Sequence, residues 1–247
     1  MIQFFAPGLP DDLMLPEEEA AHCTRVLRKN AGDTVYAVDG RGTRYNCVIE
    51  SATKNKVSLE IVDSEKIPCH WGCRITLAIA PTKNADRMEW LVEKAVEMGV
   101  DRVVLLKCDH SERKEMKTGR LERIMVSAMK QSLKAHLPAI EGPVPFTRFI
   151  DECMASSSFR FVAHCEKDKP RRLLARELQQ VCGSIHGNGA GEIVLLIGPE
   201  GDFSPEEIEK AIAGGFVPVS FGESRLRTET AALFGLCSIH DALQRTV

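Results

Sequence analysis

Near residue 70 the spacing of apolar positions changes from a period of two to one of three or four. Before that point Thr34 to Val38, Arg44 to Glu50 and Lys56 to Val62 alternate as half-buried strands, and Asp39-Gly40-Arg41-Gly42 turns the chain between the first two. Pro16 to Lys29 precedes them as a short helix. A helix with short alternating strands predicts a small β-barrel. Ile67-Pro68 to Gly72 breaks the pattern and places the boundary between a domain over residues 1–70 and one over residues 71–247.

The second part alternates strands with helices. Ile75 to Ala80 is a strand stopped by Pro81, after which Asp86 and Glu89 cap a helix carrying Met88, Leu91, Val92, Ala95 and Met98 on one side until Gly99. Val103 to Leu106 is the next strand and Arg120 to Lys134 the next helix, followed by a Pro-rich loop. A strand over Phe159 to Cys165, a helix from about Arg171 to Cys182 and a connector over Gly183 to Gly191 come after it. Two apolar runs then repeat one plan, since Ile193 to Ile197 stops at Gly198 and Val217 to Phe221 stops at Gly222, each followed by a polar loop and a helix. Ser204-Pro205-Glu206-Glu207 gives the first of these helices its cap, its proline and its acidic first turn. Such alternation predicts an α/β domain with a mostly parallel sheet. Open parallel sheets bind ligands beyond their carboxyl strand ends, so the two glycine-led loops should border a crevice.

Charge limits what the crevice holds. Glu200, Asp202, Glu206 and Glu207 surround the helix start after Gly198, which disfavours a phosphate there. A neutral or cationic ligand with hydroxyls suits it better. Elsewhere residues 102–136 carry nine Lys/Arg against four Asp/Glu in a chain of net charge −3, which points to a polyanion, although a solvated helix face would carry the same charges. Arg25, Arg28, Lys29, Arg41 and Arg44 gather near a helix end and a hairpin tip, where phosphate contacts would position an RNA.

With 44% apolar and 27% charged residues the chain is an ordinary globular protein rather than a disordered one. Nothing in it approaches the roughly twenty apolar residues of a membrane span, and its first residues lack a signal-peptide pattern, so a cytoplasmic location is expected. Nine scattered cysteines make no disulfide framework, and Cys47, Cys165 and Cys237 sit in apolar runs as small core residues would. Cys69-His70-Trp71-Gly72-Cys73 lacks a second ligand pair, so no metal is expected. A serine nucleophile is unsupported, because Gly222-Glu223-Ser224 lacks the elbow such enzymes use. A glycosidase pair from Glu200 and Glu229 would leave the basic patch unexplained.

At the two loops the sequence resembles a known family. Ile197-Gly198-Pro199-Glu200-Gly201 and Leu226-Arg227-Thr228-Glu229-Thr230-Ala231 are similar to the signature of the RsmE family, uridine-N3 methyltransferases of small-subunit (16S) ribosomal RNA within the SPOUT class. His22 with Val26-Leu27-Arg28, and Glu93 to Val100, extend the resemblance over nearly the whole chain. Three positions depart from it: Asp202 stands where the family has a second Gly, Phe221 where it has Leu, and Lys134 where it has Arg.

The resemblance implies a PUA-like barrel followed by a SPOUT domain with a deep trefoil knot, a homodimer, S-adenosylmethionine as cofactor, and 16S rRNA rather than DNA or membrane as partner. It implies cofactor contacts at Ala163, His164, Ile197, Gly198, Pro199, Glu200, Gly201, Phe221, Gly222, Leu226, Thr228 and Thr230. Arg227 would be the catalytic cation and Glu229 would orient it or act as base, while His22, Arg25, Arg28, Lys29, Arg44, Arg113 and Lys134 would meet RNA. Methylation of ribose or another base, or an assembly factor without catalysis, remain alternatives.

Overall fold

The computed structural model describes residues 2–69, 73–156, 158–166, 168–188 and 191–245. They fall into two compact units, one of residues 1–69 with 126–137 and the other of residues 70–125 with 138–247.

The first unit is built on a four-stranded sheet, β1 (Gln3–Phe5), β2 (Thr34–Val38), β3 (Thr43–Ala52) and β4 (Val57–Lys66), in sequential order. β1 runs parallel to β2 and the other pairs are antiparallel. The alternation read from sequence holds: Tyr45, Cys47 and Ile49 of β3 and Val57 and Leu59 of β4 join Phe4, Leu9 and Leu15 in one buried cluster. The helix expected over 16–29 is shorter. It comprises α1 (Glu17–Ala21) and a single π turn over His22–Val26, after which Arg28 adopts φ 55 and ends the helical path.

Residues 126–137 complete this unit through polar bonds to backbone. Gln3 donates to the Lys134 carbonyl (2.7 Å), the Gly42 N–H donates to Ala135 O (3.0 Å), and His136 Nε2 lies 2.8 Å from Ile67 O. Lys130 pairs with the buried Glu19 at 2.5 Å. Gly42 has φ 93, and a Cβ there would lie 2.3 Å from the His136 ring, so this glycine is required on both counts.

The second unit holds seven strands in the order β7-β6-β5-β10-β8-β11-β9, every pairing parallel. They are β5 (Cys73–Ile79), β6 (Arg102–Lys107), β7 (Ala139–Pro145), β8 (Phe159–Ala163), β9 (Arg172–Leu173), β10 (Gly191–Ile197) and β11 (Val217–Ser220). The helices are α2 (Ala85–Glu97), α3 (Gly119–Gln131), which enters the first unit at Val126, α4 (Phe146–Met154), α5 (Leu174–Asn188), α6 (Pro205–Ala213) and α7 (Thr228–Gln244).

β10 is central and apolar on both faces, as a covered parallel strand must be. Val194 and Leu196 join a core with Phe146, Phe149 and Ile150 of α4 and Ile208 and Ala211 of α6. On the opposite face a Cβ at Gly235 of α7 would lie 2.4 Å from Leu195 Cδ2. The late strand β10 sits between the earlier β5 and β8, an order that element counting could not supply.

Several expectations need correction. The Pro-rich loop is β7 followed by α4, whose Phe149 and Ile150 are fully buried. The cap of α2 is Asn84, whose side chain accepts the Asp86 N–H at 2.9 Å. The connector expected from Gly183 is helical to Asn188. Cys165 and Cys237 are exposed, whereas Cys47 is buried and its thiol pushed up to about 11 by desolvation. His70, Trp71 and Gly72, the middle of the Cys69 to Cys73 cluster, lie outside the described residues. Among the described residues no helix is long and apolar enough to cross a membrane.

Candidate active site

Register brings three strand ends level. Ile197 of β10 pairs with Ala163 of β8, and Ala163 pairs with Val219 of β11, so Gly198 and His164 leave the sheet level with Ser220, the last residue of β11. The carboxyl end of β5 lies on the other side of β10, where Ile79 also pairs with Ile197.

The loop from Gly198 to Phe203 is held from every side. Within it the Asp202 N–H donates to Pro199 O (2.9 Å). From beyond β5 the Lys83 N–H donates to Glu200 Oε1 (2.9 Å), and from beyond β6 His110 Nδ1 lies 3.2 and 3.1 Å from the Gly201 and Asp202 carbonyls. From beyond β8 the Cys165 N–H donates to Asp202 Oδ2 at 2.6 Å. The loop then enters α6 through a complete capping box, with Ser204 and Glu207 bonding each other's N–H groups. Burial pushes the Glu207 carboxyl above its usual range, against the N–H groups of Ser204 and Asp109 that stabilise its charge. Gly198 is packed: a Cβ there would lie 3.1 Å from the Phe203 ring.

Gly222, after β11, differs in kind. Its φ is 114, and the space where a Cβ would stand is empty out to 4 Å. Phe221 turns inward onto Phe234 of α7, with ring centroids 5.6 Å apart. Glu223, Ser224 and Arg225 are exposed, Leu226 is half-buried, and α7 begins at Thr228.

Two side chains at this edge have unmet bonding capacity. His164 is 4% exposed, and neither ring nitrogen has a hydrogen-bond partner among the described residues. Burial depresses its pKa, against the nearby Asp202 charge, so the ring is neutral near pH 7. Glu229 is buried in the first turn of α7; its Oε1 lies 3.6 Å from Arg87 Nε, and its Oε2 has no partner among the described residues. Arg227, at the cap position of the same helix, is exposed, with no bond or ion pair from its guanidinium among the described residues. Of the two roles expected for Glu229, orienting Arg227 or acting as base, neither is decided by its ion pair, which is with Arg87. Sequence reading missed Arg87 because its partner lies far along the chain, with no periodicity to link them.

The basic residues divide into two groups. Arg102 bonds Glu141 and Glu152, Arg120 bonds Glu89, and Lys130 bonds Glu19, all through long-range pairs invisible to an i,i+4 reading. Arg113 donates to Lys83 O (2.7 Å) and Arg44 to Leu133 O (3.1 Å). Lys107, Lys114, Lys117 and Arg123 carry no such bond among the described residues. In the first unit His22 meets Phe4 edge-on, Arg25 bonds Asn55 on the surface, and Arg28 and Lys29 follow the π turn, with Val26 65% exposed beside them.

The two glycine-led loops leave β10 and β11, which flank β8 in the parallel sheet, and a second small β unit accompanies this α/β unit. Matching family models are described as an RNA methyltransferase domain, over residues 70–240, and an RNA methyltransferase PUA domain, over residues 15–62. The chain belongs to the ribosomal RNA small subunit methyltransferase E family. A relative of that name from Aquifex aeolicus is 30% identical over 227 residues, covering 90% of each chain. A probable rRNA-methyltransferase from Porphyromonas gingivalis superposes with TM-score 0.88 at 42% identity over the whole of both chains. A Legionella pneumophila structure in complex with the bound cofactor SAM superposes with TM-score 0.80 at 27% identity over 98% of each chain.

Proposed function

We propose that this protein uses S-adenosylmethionine to methylate N3 of a uridine in small-subunit ribosomal RNA. The observation that carries the reading is the juxtaposition, at the start of α7, of a buried carboxylate oxygen on Glu229 and an exposed guanidinium on Arg227, neither with a partner among the described residues. The name of the Aquifex relative and the cofactor of the Legionella structure support it.

Two features of these strand ends suit the cofactor. Open space at Gly222 leaves backbone accessible, and the buried, unpartnered His164 awaits a polar group. Ala163 and His164, Ile197 to Gly201, Phe221 and Gly222, and Leu226, Thr228 and Thr230 would hold it. When bound, it supplies a methyl group already activated on a sulfonium, which departs as a neutral thioether.

The remaining work falls to the chain. Uracil N3 attacks poorly while it carries a proton, so the site must accept that proton and stabilise the charge on the flanking carbonyl oxygens as the new C–N bond forms. Glu229 Oε2 accepts the proton, and Arg227 faces the carbonyl charge. Arg87, 3.6 Å from Oε1, holds the other side of the Glu229 carboxylate. The target base leaves its stack to enter the crevice.

His22, Arg25, Arg28, Lys29 and the unpaired lysines of residues 107–117 would position the RNA backbone in the cytoplasm. The placement of β10 between β5 and β8 supports a knotted path. Exposed Trp90 of α2 and Phe234 of α7 support a homodimer that covers them. Sedimentation of an active species near the 27.3 kDa chain mass would exclude that dimer.

Incubation with small subunits lacking the modification, followed by nucleoside analysis, tests the reaction. N3-methyluridine is expected; a methylated ribose or another methylated base would overturn the assignment.

A further inference from the structure

We propose that Asp202 is a positioning residue that clamps the exit of β8 to the β10 loop and so shapes the cofactor crevice before the cofactor arrives. The inference rests on the functional reading above for what the crevice holds, and on geometry alone for the clamp.

Asp202 has φ 65, a conformation that glycine adopts freely and other residues only at some cost. A glycine is what the family resemblance leads one to expect here. The aspartate uses its side chain for what glycine cannot do. Oδ2 accepts the Cys165 N–H at 2.6 Å, and Oδ1 accepts the Phe203 N–H at 2.8 Å. One carboxylate therefore joins two loops leaving adjacent strands, since Ala163 of β8 and Ile197 of β10 are register partners.

The joined backbone is that of the crevice. Cys165 directly follows His164, the buried residue with unused ring nitrogens, and Asp202 directly follows Gly201. With glycine at 202 the Cys165 N–H would lose its acceptor and the β8 exit its tie to the loop. His110, Pro199 and Lys83 would still hold the Gly198 to Phe203 loop, so the loss would fall on the spacing between the two walls. A crevice that must first regain that spacing binds its ligand more weakly, while the chemistry once bound is unaltered.

The test compares the parent with Asp202→Gly and Asp202→Asn by three measurements: amide hydrogen exchange of Cys165 without cofactor, calorimetric titration with S-adenosylmethionine, and steady-state kinetics. Asp202→Gly relieves the backbone strain, so it should melt near the parent while exchanging the Cys165 amide faster. Its S-adenosylmethionine affinity should fall roughly tenfold, the size of one charge-assisted hydrogen bond, with KM raised and kcat close to the parent value. Asp202→Asn keeps an acceptor oxygen and should recover most of both effects. Unchanged Cys165 exchange in Asp202→Gly would overturn the clamp, and so would unchanged affinity. Failure of the parent to bind S-adenosylmethionine would instead overturn the functional reading, and the exchange comparison would still decide whether the clamp exists.

Discussion

Arg87 Nε lies 3.6 Å from Glu229 Oε1, tying the first turn of α2 to the first turn of α7 and leaving Glu229 Oε2 open. Glu229→Gln removes the proton acceptor and should slow methyl transfer by about 100-fold or more. Arg87→Ala should cost less in single-turnover rate, because the carboxylate remains and only its partner is lost. A rate in Arg87→Ala as low as that of Glu229→Gln would give Arg87 a direct part in the reaction.

Arg227 is exposed and its guanidinium has no bond among the described residues, so truncating the side chain costs the fold little. Arg227→Ala should melt with the parent and bind S-adenosylmethionine comparably, yet lose about 100-fold in kcat if its charge acts in the transition state. Arg227→Lys should restore part of it. Quenched-flow measurement of methyl transfer checks both variants, and turnover retained in Arg227→Ala would remove the residue from the mechanism.

The two loop glycines should fail differently. Gly198→Val drives a side chain into the Phe203 ring and should abolish cofactor binding through a shifted loop. Gly222→Val places its Cβ in open space, but must hold φ 114 and should lose roughly 1–3 kcal/mol of backbone stability. Calorimetry with S-adenosylmethionine and thermal melts separate the two effects, and parent-like affinity in Gly198→Val would move the site elsewhere.

His164 makes stability depend on pH. Its folded pKa lies below the ordinary 6.5 because burial penalises the charged ring. Between that depressed value and 6.5 the unfolded chain binds more protons than the folded one, so stability rises with pH across this window. The contribution is complete above 6.5 and is lost as pH falls through the window. Melting temperatures recorded from pH 7.5 downward should therefore drop more steeply for the parent than for His164→Gln.

Removing charge at Arg25, Arg28 and Lys134 should weaken RNA binding and flatten its salt dependence by about one unit of slope for each phosphate no longer neutralised. Cofactor affinity should stay constant. Filter binding at several salt concentrations reads the slope, and unchanged slopes would assign these cations to surface solvation.

Much of this was legible in local sequence. Ser204 with Glu207, the apolar run of β10 and the glycines at 198 and 222 each announce themselves within a few residues, because caps, strand burial and turns are local requirements. What escaped depends on pairings distant along the chain. Arg87 with Glu229, Cys165 with Asp202, and Lys130 with Glu19 join residues that no periodicity relates. β7 was hidden by its two prolines and Gly142, which read as loop although a parallel partner in β6 accommodates them.

The recruitment of residues 126–137 into the first unit has a consequence for synthesis on the ribosome. The initial 69 residues emerge with Gln3, Glu19, Gly42 and Ile67 still lacking their partners at Lys134, Lys130, Ala135 and His136. At about 5–20 residues per second, the segment that completes them follows roughly 3–14 s later. The apolar core of the amino-terminal module lies within residues 4–61 and can form first, but its flank must wait until a good part of the following domain has been translated, and a gene truncated at the apparent linker should yield a module with that flank open.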